Sequence, residues 1–152
     1  MGDEAQISSL QDSGLSASSV YTSDQLDTSQ SRLYSISGGG SWASASNSVG
    51  QWIQASLSQP KWIHKVATQG RHNIRQWVTS YQLQHSLSNS EQDLELLATQ
   101  NGSVITFNGN TDSENVVVNS FPAVFAQYVR LLPLTCESHI SLRWEIFACV
   151  TG

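Results

Sequence analysis

The sequence predicts an all-β domain, a sandwich or barrel of about eight short strands. Apolar residues recur at every second position and nowhere sustain a helical period. The alternating runs are short and are broken by clusters of Ser, Asn and Gly that favour turns. Composition agrees: apolar residues make up 39% and charged residues only 12%, against a usual charged share of about 25%. Surface polarity must therefore come from Ser, Thr, Asn and Gln, as is common in all-β extracellular modules.

In chain order, residues 51–57 put Ile53, Ala55 and Leu57 on one face of the first confident strand. Further strands are read at 62–68, 78–87, 94–98, 104–107, 116–121 and 127–132, with turns at Ser88-Asn89-Ser90, Asn101-Gly102 and Asn108-Gly109-Asn110. The last strand, 140–148, aligns Ile140, Leu142, Trp144 and Ile146. Strands of this number make a sandwich or barrel, and 152 residues fit one domain over 1–152. Residues 18–48 are the long stretch without a confident strand, and long ordered loops in compact domains tend to carry function.

A formal charge of −5 and a pI near 5.1, with seven basic residues, exclude nucleic acid as a partner, because duplex binding needs Lys and Arg on phosphates. The same shortage weakens attraction to anionic membranes. No apolar run approaches the ~20 residues of a membrane span, and Met1-Gly2-Asp3-Glu4 lacks the basic and apolar segments of a signal peptide. The strand between Cys136 and Cys149 carries their backbones apart, so each is expected as a free or externally paired thiol. Asn101-Gly102-Ser103 is an N-glycosylation sequon placed in a turn. No His-x-x-x-His or Cys-x-x-Cys pair supports zinc, and no Gly-x-Ser-x-Gly elbow or phosphate loop supports catalysis. Arg143 and Glu145, two residues apart on one strand face, read as a structural ion pair.

An ordered series of motifs resembles the discoidin domains, also called coagulation-factor C-type domains, over most of residues 15–149. It runs from Leu15-Ser16-Ala17-Ser18-Ser19 through Gln51-Trp52-Ile53-Gln54-Ala55-Ser56-Leu57, Thr68-Gln69-Gly70-Arg71 and Val78-Thr79-Ser80-Tyr81. It continues with Phe107-Asn108-Gly109-Asn110-Thr111-Asp112, Tyr128-Val129-Arg130-Leu131-Leu132-Pro133 and the segment from Ile140 to Cys149. Residues 69–87 look most like the slime-mould discoidin lectins. The resemblance implies a jelly-roll β-sandwich, no catalysis, and ligand binding by three loops at one end. It also implies a secreted or cell-surface setting within a longer, multidomain parent. The family usually pairs its last cysteine, here Cys149, with one at the domain start, which by the resemblance falls about at or before Met1.

The resemblance places the loops at about 23–31, 35–44 and 71–76. The first offers Leu26 as an apolar tip between Asp24 and Asp27; two carboxylates there disfavour an anionic lipid surface. The two aspartates read as a solvated turn, with calcium as the weaker alternative, because such ions need about six oxygens. In the second loop, Gly38-Gly39-Gly40 permits left-handed turns, and Trp42 is expected to pack beneath the loops while Arg32 braces their bases. The third concentrates Arg71, His72, Asn73 and Arg75, whose donors and acceptors suit sugar hydroxyls. The alternative is that Arg71 and Arg75 pair with acidic groups on adjacent loops. Trp77 is expected in the core, and His64, His85 and His139 read as structural.

The ligand implied is a cell-surface or matrix glycan of galactose or N-acetylgalactosamine type, bound through Asp24, Leu26, Asp27, Arg71, His72, Asn73 and Arg75. The alternatives are a phosphatidylserine surface and a protein receptor.

Overall fold

The computed structural model describes residues 3–22 and 24–149. Nine antiparallel strands form one hydrogen-bonded network: β1 (Asp3–Ala5), β2 (Leu15–Ala17), β3 (Trp42–Ala43), β4 (Ile53–Gln69), β5 (Trp77–Ser86), β6 (Glu95–Leu96), β7 (Phe107–Asn108), β8 (Val117–Glu137) and β9 (Ser141–Cys149). The main path runs β1-β9-β4-β8-β5-β6, while β2 pairs β4, β3 pairs β9 and β7 pairs β5. The jelly-roll β-sandwich expected from the sequence is present.

Two pairs of expected strands are each one long bent strand. Residues 51–57 and 62–68 become β4, and 116–121 with 127–132 become β8. The two ladder together along 53–56 against 128–131, then along 61–63 and 65–68 against 117–126, with register shifts where the chain bends. Pro60 and Pro122 both fall in gaps of that ladder. A residue without an N–H fits only at such an interruption. In the fold they mark bends within continuous strands. Strands β1, β2 and β3 are too short to show a period and exist through pairing with β9 and β4.

The core is built from the inward faces of β4, β5, β8 and β9, with Trp42, Trp144, Tyr81, Ile53 and Leu131 fully buried. Trp77 lies in the core as expected. β9 departs from simple alternation because both of its faces are covered. Arg143 is 1% exposed and Glu145 3% exposed, and they do not form the ion pair expected from their spacing. The Glu145 carboxylate instead accepts from the backbone N–H groups of Gln6 (3.1 Å), Ile7 (2.6 Å), Ser8 (2.9 Å) and Ile146 (2.9 Å), fastening the N-terminal segment to the sheet. Arg143 turns to the loop end. Backbone groups of the N-terminal segment on one side, and of the connections carrying Ser35, Gly70 and Ser113 on the other, outcompete the neighbouring side chain.

Cys136 and Cys149 are both free thiols. The cross-strand neighbour of Cys149 is Asp3; Met1, near which the resemblance puts a partner cysteine, lies outside the described residues.

Replacing Glu145 with Ala removes the side-chain acceptor of the buried Ile7 N–H, whereas Gln6 N–H keeps Ile146 O at 3.0 Å and Ser8 is exposed. Urea unfolding followed by tryptophan fluorescence should show a loss of about 1–3 kcal/mol, the cost of one such buried group; a loss under about 1 kcal/mol would contradict this anchoring.

Candidate functional site

The three loops converge at the end of the sandwich where β4 and β8 finish and β5 and β9 begin. Their backbones are bonded to one another: Gly39 N–H donates to Gln25 O (2.6 Å), Ala43 N–H to Leu26 O (3.1 Å) and His72 N–H to Gly40 O (3.0 Å). The glycine run makes this possible. Gly40 has φ +91°, and a Cβ there would stand 2.9 Å from His72 Cβ; a Cβ on Gly39 would meet Gln25 O at 2.7 Å. Only glycine lets the second loop touch both of its neighbours.

Below them, Arg143 donates to Gly70 O (2.8 Å), Ser35 O (2.9 Å) and Ser113 O (3.0 Å). One buried guanidinium thus ties the second and third loops to the 110–115 turn. Arg32 does similar work, donating to Leu10 O (2.6 Å) and Ser29 O (3.2 Å) and pairing with Asp12 (2.7 Å). Trp42 is fully buried and donates from Nε1 to Ser19 O (3.0 Å). Both meet the bracing and packing roles expected of them.

Between the loops lies a cleft of about 150 Å³ lined by Tyr21, Leu26, Ala43, Arg71, Gln76 and His139. Its floor is apolar, Leu26 and Ala43, and its wall is polar. Arg71 Nε donates to Gly39 O (2.7 Å) and Nη1 to Gln76 Oε1 (3.0 Å), which fixes the guanidinium plane. Gln76 Oε1 also accepts from Ser141 Oγ (3.0 Å), so the amide orientation is set and its NH₂ is left over. Arg71 Nη2 and Gln76 Nε2 have no partner among the described residues. His139 Nε2 must donate to Ser44 O (2.7 Å), because a carbonyl only accepts, leaving Nδ1 of the neutral ring as an acceptor. The Tyr21 ring stands edge-on to His139 at 5.4 Å and is 60% exposed.

The residues singled out in the sequence divide three ways. Arg71 and Leu26 line the cleft, but Leu26 is 4% exposed and forms its floor; the apolar tip expected there is corrected to a buried residue. Hydrogen bonding of its N–H and C=O to Thr22 and Ala43 draws the loop inward. Asp24 is exposed, while Asp27 accepts from Ser29 N (3.1 Å) and caps a short 3-10 turn. Among the described residues no group of three or more His, Cys, Asp or Glu side chains could hold a metal.

His72 and Asn73 instead hold Glu114: His72 Nδ1–H donates to Oε1 (2.9 Å) and Asn73 N–H to Oε2 (2.7 Å), with Arg143 also in reach (3.3 Å). Arg75 is 77% exposed at its side chain, lies over Trp77 and faces Glu137 at 3.5 Å. Arg75 therefore meets the alternative of pairing with an acidic neighbour, whereas Arg71 bonds to a carbonyl and an amide.

Tyr21, Gln76 and His139 escaped the sequence reading. Tyr21 lies within the long unassigned stretch, which was its one signal; His139 read as a structural residue ahead of the last strand; Gln76 lies at the end of the third loop, 71–76, but was not singled out within it. The structure also exposes Tyr34 and Ile36, each 68% accessible, and Ile74 on the second and third loops.

Volume does not select this cleft, since a depression of about 330 Å³ lies between the N-terminal segment and β4, and one of about 400 Å³ beside the end of β5. The first has no aromatic in its lining; the second has Phe125 beside Asp93 and Glu95 but no guanidinium. The loop-end cleft joins an exposed aromatic ring to fixed donors and an acceptor.

A β-sandwich whose loops gather over a small polar cleft is a loop-presenting binding module in architecture. The chain belongs to the F5/8 type C domain family, whose model matches residues 14–146. It is 39% identical to discoidin-2 of Dictyostelium discoideum over 84 residues, 55% of this chain and 30% of that protein. The solved wild-type discoidin II from Dictyostelium discoideum matches with a TM-score of 0.83 at 30% identity, covering 99% of this chain and 60% of that one. The family 32 carbohydrate-binding module of NanJ from C. perfringens, solved with galactose, shares the fold at a TM-score of 0.69 and 16% identity, covering 96% of this chain and 99% of that one. The chain thus spans about a third of the curated relative. Domains of this family bind carbohydrate and phospholipid and are mostly non-catalytic, although some structural neighbours are parts of enzymes.

Burial raises the pKa of Glu114, but hydrogen bonds from Asn73, His72, Ser113 and Arg143 outweigh it and bring the carboxyl down from 4.5 to about 2. A depressed folded pKa contributes stability that is complete above the unfolded value and is lost as pH falls through the folded one. The melting temperature of the wild type should therefore fall more steeply than that of Glu114→Gln on acidification from about pH 4.5 to 2, and parallel curves would contradict the assignment.

Proposed function

We propose that this module binds carbohydrate of the galactose or N-acetylgalactosamine type in the loop-end cleft, without catalysis, in an extracellular setting and as part of a longer protein. What carries the reading is the pairing of an exposed aromatic ring, Tyr21, with unspent hydrogen-bonding capacity on Arg71, Gln76 and His139 over an apolar floor. Sugars combine an apolar C–H face, which stacks on a ring, with hydroxyls that need donors and acceptors at fixed places. Arg71 and Gln76 supply the donors and His139 Nδ1 the acceptor. The likeness to discoidin II along nearly the whole chain supports the same reading.

In this reading Arg71 touches the ligand, whereas His72 and Asn73 position the loop. Asp24, Asp27 and Arg75 stand at the rim and contribute to the approach of a ligand. Partners are cell-surface or matrix glycans, and several copies would be needed for useful avidity. A second reading, docking to a phosphatidylserine surface, is favoured by the exposure of Ile36 and Ile74 on the second and third loops and of Tyr34 just before the second.

Titration calorimetry with galactose and N-acetylgalactosamine should give a Kd of about 1 mM, equivalent to about 4 kcal/mol. Tyr21→Ala should weaken it by about tenfold, or about 1.4 kcal/mol, with little change in melting temperature because the ring is exposed. A glycan array and phosphatidylserine vesicles complete the test. Vesicle binding without sugar binding would replace this reading with the lipid one, and silence on both would point to a protein receptor.

A further inference from the structure

We infer that Asn101 is an N-glycosylation site, carrying an oligosaccharide on the edge of the sandwich away from the loop-end cleft. The inference rests on the extracellular setting proposed above. Asn101-Gly102-Ser103 is the chain's one Asn-x-Ser/Thr sequence with x other than Pro. The structure shows where it lies and what surrounds it.

The tripeptide forms the tip of a turn closed by the bridge between Ala98 and Val104. Thr99 N–H donates to Ser103 O (2.8 Å), Gly102 N–H to Thr99 O (2.9 Å), and Ser103 N–H to Thr99 Oγ1 (3.2 Å). These three bonds hold the turn without help from the Asn101 amide. Asn101, Gly102 and Ser103 are all exposed, and neither the Asn101 amide nor the Ser103 hydroxyl has a partner among the described residues. Other asparagines contrast with it: Asn110 bonds to Thr68 O and Asn115 O, and Asn119 to Tyr81 and Asn108.

Gly102, at φ +86°, has no atom within 4 Å of where a Cβ would stand, so the tip projects into open space. A glycan attached there displaces no packed group and breaks no hydrogen bond, which is what the folded state must allow. The turn joins β6 to β7, and β6 pairs with Gln84 and His85 near the end of β5. The cleft lies at the other end of that strand, before Trp77. The attached sugar would leave the cleft open.

The chemistry is transfer from a polyisoprenyl pyrophosphate-linked oligosaccharide. Asn101 Nδ2 forms a bond to C1 of the first sugar, the C1–O bond to the pyrophosphate breaks, the lipid pyrophosphate leaves with the electron pair, and one amide proton passes to base. Ser103 supplies the hydroxyl that the sequon requires.

The test is to secrete the chain from eukaryotic cells behind a secretion leader and to measure intact mass and peptide mass before and after peptide N-glycosidase. The expected result is added hexose and N-acetylhexosamine mass on the peptide containing Asn101, removed by the glycosidase to leave aspartate. Asn101→Gln and Ser103→Ala should lose that mass, and Ser103→Thr should keep it. Folded, secreted wild-type chain with unmodified Asn101 would overturn the inference. Galactose titration of Asn101→Gln separates the two readings, since the glycan is detected whether or not the cleft binds sugar.

Discussion

The arrangement of the loop end depends on a single buried cation. Arg143 sits on a strand covered on both faces, and its guanidinium fans out to carbonyls from three separate connections. A fully buried cation would be costly without such partners. Here it has three carbonyls and the Glu114 carboxylate, so its planar fork fixes where three loops may stand. Glu145, two residues on, does the corresponding work for the N-terminal segment. The pair of charged residues thus turns β9 from a strand into a frame to which irregular backbone is attached.

The cleft follows from that frame. With Gly70 and Ser35 held, the third loop is pressed against the glycine run of the second, and Arg71 is locked between Gly39 O and Gln76. Two hydrogen bonds spent on orientation leave the rest of the guanidinium facing the cleft. Its neighbours His72 and Asn73 point away to Glu114. Adjacent residues of one short loop therefore serve different ends, one facing the cleft and two securing the backbone that aims it. Family membership fixes the fold, and local differences such as these are where ligand specificity would lie.

Much of the architecture was legible from alternation alone. The strands at 78–87 and 140–148 show it plainly, because a strand buried on at least one face must repeat every second residue. Residues 51–57 with 62–68, and 116–121 with 127–132, read as separate strands because alternation lapses where the chain bends, near Pro60 and Pro122, although each pair is one continuous strand. The strands at residues 3–5, 15–17 and 42–43 had no readable period, being two or three residues long and stabilised by partners far away in sequence. For the site, Arg71 stood out because a cation-rich loop is unusual in so uncharged a chain. His139 and Gln76 carried no such mark.

The sequence by itself determined the all-β class through its alternation, and its resemblance to the discoidin domains anticipated the burial of Trp42 and Trp77 and the loop that carries Arg71. Alternation is a local pattern, and the motifs that carry the resemblance are short runs of residues close together along the chain. Only the tertiary structure decided that Leu26 is a floor and not a tip, that Arg143 and Glu145 serve backbone and not each other, and that Tyr21 and His139 meet across one cleft. Each of those outcomes depends on which backbone groups remain unpaired after the strands have formed, a quantity fixed by contacts between distant segments and absent from any short window of sequence.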